Sequence, residues 1–97
     1  MTLYVVELAP AAEVDIHDAF IWYQTKNAGV ADAFRSEVFE TIDRIAITPL
    51  GKAADEEGNR RRVLRRFPYS VVYEVKNVSV IVLAVAHHRR QPGYWQV

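Results

Sequence analysis

Residues 65–92 read Arg65-Arg66-Phe67-Pro68-Tyr69-Ser70-Val71-Val72-Tyr73-Glu74-Val75-Lys76-Asn77-Val78-Ser79-Val80-Ile81-Val82-Leu83-Ala84-Val85-Ala86-His87-His88-Arg89-Arg90-Gln91-Pro92, and the fold turns on this stretch. Val71, Tyr73 and Val75 alternate with Ser70, Val72 and Glu74, the period of a strand whose two faces meet different surroundings. Val78 to Ala86 is a nearly unbroken apolar run, and a strand that is apolar at every position from Val80 to Ala86 has both faces covered, which makes it central to its sheet. Val63 to Phe67 can form a further strand ahead of these two. The breaks at Pro68 and Asn77 are short, so the last strands should pair antiparallel, because parallel neighbours need a crossover of about a dozen residues.

Upstream the period changes from two to that of a helix. Leu3 to Leu8 is a short β-branched strand, and Pro10 stands where a helix can start, since the first turn has no use for its missing N–H. From Pro10 to about Lys26, the apolar residues Ala12, Ile16, Ala19, Phe20 and Tyr23 line one helical face. Asn27, Ala28 and Gly29 interrupt it. A second helical period runs through Ala31, Phe34, Val38, Ile42 and Ile45 until Pro49 ends it. Residues 51–60 hold turn formers and charge with no period, and read as a connecting loop. The expected architecture is α+β: one domain over residues 1–97 in the order β-α-α-β-β-β, a small antiparallel sheet with an N-terminal helical hairpin packed on one face.

Composition sets the outer limits. The chain is 51% hydrophobic with four Gly and four Pro in 97 residues, as an ordered domain requires. The absence of cysteine excludes disulfides, thiolate catalysis and Cys-containing zinc sites. His17, His87 and His88 are badly spaced for chelation, and there is no phosphate-binding Gly loop, so neither a metal nor a cofactor is expected. No leader pattern opens the chain and the longest apolar run is too short for a bilayer, which makes the cytoplasm the expected compartment. The zero net charge conceals two opposite halves: residues 1–51 carry three basic and eight acidic side chains, residues 52–97 nine and four. Local potential attracts phosphate more than net charge does, so the second half can meet nucleic acid or an acidic partner.

Two basic clusters flank the strands, Arg60, Arg61, Arg62, Arg65 and Arg66 before them, Arg89 and Arg90 after. Antiparallel pairing can bring some together, and a guanidinium fork suits phosphate oxygens. A merely solvated rim, or a contact for an acidic partner, accounts for the same run of charge. His87 and His88 have the chemistry for proton transfer in phosphodiester cleavage, but neighbours on an extended segment face opposite ways, so only one serves a given site. Tyr94 and Trp95 either stack on a base or anchor the tail to the core. Carboxylates concentrate in the helices, where Glu40 and Arg44 are spaced as an i, i+4 pair.

The run Arg65-Arg66-Phe67-Pro68-Tyr69, followed by a strand ending in His87-His88-Arg89-Arg90 before Pro92, resembles the plasmid-stabilisation branch of the RelE/ParE toxin superfamily. The resemblance implies a RelE/ParE-like fold and the toxin of a type II toxin–antitoxin system, neutralised by a cognate antitoxin in a hetero-oligomer, with a homodimer also possible. It implies one of two targets: DNA gyrase, blocked by ParE-like members, or ribosome-bound mRNA, cut by RelE-like members through a ribose 2′-hydroxyl. A non-toxic, partner-binding relic is a third reading. For an RNase, the resemblance assigns phosphate stabilisation to Arg65 and to Arg89 or Arg90, and proton transfer to His88 or Tyr94. Antitoxin or nucleic acid would meet Arg61, Arg62, Arg65, Arg66 and Arg89. Lys52 is the only lysine of the loop where RelE-like enzymes hold several, a departure from the RNase pattern, and no residue is diagnostic of gyrase binding.

Overall fold

In the computed structural model, which describes residues 4–96, a single residue separates two long helices. Helix α1 spans Pro10–Lys26 and α2 spans Ala28–Ile47. Asn27 sits between them in extended conformation, and its side chain accepts the amides of Gly29 and Val30, satisfying two donors that open α2. The break seen over Asn27 to Gly29 is thus one capping residue wide. No helix of the described residues is long and apolar enough to cross a membrane.

Strands β1 (Val5–Leu8), β2 (Arg60–Val63), β3 (Tyr69–Lys76) and β4 (Ser79–His87) form one sheet in the order β1-β4-β3-β2. Leu3, the expected start of the first strand, lies outside the described residues. β2, β3 and β4 pair antiparallel as expected, and β4 is central. β1 makes the sheet mixed, pairing parallel with β4. The helical hairpin is the long crossover that parallel pairing requires. The expected strand at Val63 to Phe67 is displaced: β2 begins at Arg60 and ends at Val63, because Leu64 is drawn into the core and the chain then turns.

The core explains the periodicity. Ala12, Ile16 and Ala19 of α1, with Ala31, Phe34, Val38, Ile42 and Ile45 of α2, are all buried, and most of them pack on Val71, Tyr73, Val80, Val82 and Val85 of the sheet. Val72 pairs with Ala84 but Tyr73 with Val82, so Leu83 is an extra residue on β4. This bulge reverses the alternation, sending Val80, Val82 and Val85 to the helices while Ala84 and Ala86 join Val72 on the other face. That second face is covered by the chain's own tail through Tyr94 and Trp95. Hence β4 is apolar from Val80 to Ala86.

The loop after α2 is built around Asp55, whose carboxylate accepts the amides of Glu57 and Asn59 while Gly58 turns with φ 84°. The i, i+4 spacing of Glu40 and Arg44 does not mature into an ion pair among the described residues, where the pairs formed are Arg66–Glu37 and Lys76–Glu74.

Candidate functional site

The basic residues and the tail meet at one end of the sheet, where β3 begins and β4 ends. Between β2 and β3 the chain turns through Arg65 to Pro68, with the Leu64 amide donating to the Tyr69 carbonyl at 2.9 Å. The turn is held from α2. The Glu37 carboxylate accepts the amides of Arg65 (2.5 Å) and Arg66 (3.1 Å) and the Arg66 Nε (2.8 Å). Glu37 lies on the apolar stripe of α2 and is only 5% exposed. Burial alone would push its pKa up, but the Arg66 guanidinium and the two amides outweigh burial and lower it.

A second carboxylate holds the other side. β1 accompanies β4 only as far as Val82, so beyond it the edge of β4 lacks a strand. Asp15 of α1 fills the role, accepting the Val85 amide at 2.9 Å and the Tyr94 hydroxyl at 2.5 Å on one oxygen, Oδ2. Here burial wins: the Asp15 pKa is raised, with Tyr94 and Val85 offsetting only part of the desolvation. Burial and the Asp15 bond push the Tyr94 hydroxyl well above the ordinary tyrosine range. The tail itself turns back through Gly93, at φ 80°, into a short 3-10 turn, Tyr94–Gln96, and Gln96 bonds Glu57 of the preceding loop.

The arginines fall into two classes. Arg60 donates to the Lys52 carbonyl, Arg62 to Thr48 Oγ1 at 3.1 Å, and Arg66 is paired with Glu37. Arg62 therefore faces the end of α2. Arg61, Arg65 and Arg89 are exposed, and their guanidinium groups make no hydrogen bond or ion pair among the described residues. Arg90 stacks over the Tyr94 ring, 3.9 Å from its centroid.

His88 is tied to the sheet: its Nε2 lies 3.1 Å from the hydroxyl of buried Ser70, and its amide donates to the Pro68 carbonyl at 2.8 Å. His87 stacks edge-on against Tyr69, whose hydroxyl burial pushes up to about 12. On the tail's side of the sheet, Arg61, His88, Arg90 and Trp95 border a hollow of only about 60 Å³. The structure thus brings together Arg61, His88 and Arg90. It gives Tyr94 to Asp15 and Arg66 to Glu37.

Elsewhere, an apolar groove of about 420 Å³ runs along the hairpin, lined by Leu8, Ile16, Phe20, Ile21, Arg35 and Phe39. Asp15 and Glu37 were not singled out from the sequence. Each stands on or beside the apolar stripe of its helix, Asp15 next to Ile16 and Glu37 between Phe34 and Val38, and a carboxylate in that position is a signal that it has buried donors to satisfy.

Residues 6–92 match the family described as the ParE toxin of the type II toxin–antitoxin system, parDE. No curated protein matches the chain. Among solved structures, a chain of the "Chromosomal ParDE TA system from P. aeruginosa" superposes with a TM-score of 0.78 at 18% identity, covering 88% of this chain and 96% of that one, a likeness of fold.

Proposed function

This chain belongs to the ParE toxin family of type II toxin–antitoxin systems, and from that membership we propose that it arrests growth by binding DNA gyrase, with no catalytic step of its own, until a cognate antitoxin covers it. The observation that carries the reading is the Tyr94 hydroxyl, donated to Asp15 and held protonated far above neutrality. A general acid or base is most effective with a pKa near the working pH, and this one is shifted the wrong way. The second proton-transfer candidate, His88, is anchored to Ser70 beside a hollow too small for a nucleotide. What is left free is a set of guanidinium groups, and these suit binding.

The antitoxin, in this reading, is an acidic segment that orders on contact with Arg61, Arg65 and Arg89 and sets apolar side chains into the hairpin groove, forming a toxin–antitoxin hetero-oligomer in the cytoplasm where gyrase works. The test is induction of the chain alone in a bacterial host, with plasmid topology and mRNA 5′ ends followed after growth stops. Loss of supercoiling with intact mRNA is the expected result. Ribosome-phased cuts would replace the reading with a RelE-like endonuclease, in which Arg61, His88 and Arg90 act together. Growth without arrest would leave a non-toxic partner-binding protein.

A further inference from the structure

A pocket of about 200 Å³ opens on the α1 side of the same end of the sheet, bordered by Asp15, Asp18, Trp22, Tyr69, His87, Arg90 and Tyr94. Asp15, Asp18 and Trp22 stand at i, i+3 and i+7, so α1 presents them along one line. We propose that this pocket receives an arginine side chain from a protein partner.

Three observations point to that ligand. First, the pocket's aromatic walls already draw cations of the chain itself: the Arg90 guanidinium lies 3.9 Å above Tyr94, and the Lys26 ammonium lies 5.3 Å from the ring centre of Trp22. Second, its lining sets two carboxylates, Asp15 and Asp18, against one guanidinium, Arg90, and Asp18 makes no ion pair among the described residues. Third, Trp22 is 55% exposed, a large indole held at the mouth with its neighbour Tyr23 edge-on against it.

The volume falls below the ~300 Å³ at the small end of small-molecule pockets, which suits one side chain. Arginine fits better than lysine because its plane stacks on aromatic walls while its edge reaches carboxylates, and a strongly hydrated ammonium does neither as well. The inference is independent of the gyrase reading, and its failure leaves that reading untouched.

The test uses the full chain, labelled with nitrogen-15, and its two indole N–H signals. Titration with acetyl-arginine amide should move the Trp22 signal saturably, with a Kd in the low millimolar range, about 4 kcal/mol of binding. Acetyl-lysine amide should bind at least about threefold more weakly, and acetyl-norleucine amide should not bind. Asp18 is exposed and makes no hydrogen bond or ion pair among the described residues, so Asp18→Asn should keep the fold while weakening the arginine probe about threefold or more. A Trp22 signal that fails to saturate, an unchanged Kd in Asp18→Asn, or an equal shift of Trp95 would each overturn the proposal. Equal binding of the lysine probe would overturn its choice of arginine.

Discussion

Two carboxylates, one on each helix, reach from the hairpin to the sheet, and they behave in opposite ways. Glu37 of α2 takes hold of the turn before β3; Asp15 of α1 takes hold of the edge of β4 and the tail. Both accept backbone amides in a partly dry setting. Glu37 also meets a guanidinium, and its pKa falls; the hydrogen bonds that reach Asp15 come from neutral donors, and its pKa rises. The pair teaches that hydrogen bonds from neutral donors offset only part of a carboxylate's desolvation, whereas hydrogen bonds joined by a guanidinium outweigh it.

Removing each grip should separate the two. The largest effect is expected from Glu37→Ala, which strands the Arg65 and Arg66 amides and leaves Arg66 unpaired, at a cost of about 2–3 kcal/mol in urea unfolding. Loss of less than ~1 kcal/mol would mean that water replaces the carboxylate and that the turn does not depend on it. Conservative changes sharpen the contrast. Glu37→Gln deletes the ion pair and should cost about 1–2 kcal/mol, discounted because Arg66 is largely exposed. Asp15→Asn keeps a neutral acceptor for Val85 and Tyr94 and should cost less than about 1 kcal/mol. Equal losses would break the comparison.

The pH dependence of those two losses should run in opposite directions. A depressed folded pKa gives Glu37 a stabilising contribution that is present above its unfolded pKa and disappears as pH falls through the folded value. The cost of Glu37→Gln should therefore be full at neutrality and shrink in acid. A raised folded pKa makes the protonated form of Asp15 the better one for folding, so its contribution is complete below the unfolded value and declines as pH rises through the folded one. The cost of Asp15→Asn should be largest in acid and smallest at neutrality. Unfolding curves of both variants at several pH values check this, and parallel slopes would refute the assignment.

The smallest effect belongs to Tyr94→Phe. It removes the hydroxyl from Asp15 Oδ2, at about 1 kcal/mol, and because that bond lowers the Asp15 pKa, carboxyl NMR titration should find it moved further up. A downward move would show that the tyrosine does not donate to the carboxylate.

Much of the fold was legible because it rests on period. The stripe Ala31, Phe34, Val38, Ile42 and Ile45 is buried as its spacing requires, and the central place of β4 follows from an apolar run that tolerates no wet face. Parallel pairing of β1 was not legible, since a four-residue strand carries no mark of its neighbour's direction. The boundary of β2 is displaced because three consecutive arginines look like a charged loop until Arg60 and Arg62 are seen bonded to Lys52 and Thr48. Of the candidate residues, Arg61, His88 and Arg90 gather at one hollow, while Tyr94, Arg62 and Arg66 bond to residues of the helices and their ends, contacts that no local pattern in the sequence reveals.

By itself, the sequence determined the two amphipathic helices, the antiparallel run of strands and the opposite charges of the two halves, because each depends on residues close along the chain. Only the tertiary structure decided which guanidinium groups remain free, which tyrosine is tied, and where the tail lies. Those outcomes depend on Glu37 meeting Arg66 across 29 positions and Asp15 meeting Tyr94 across 79, and on which charge burial leaves without a counter-charge.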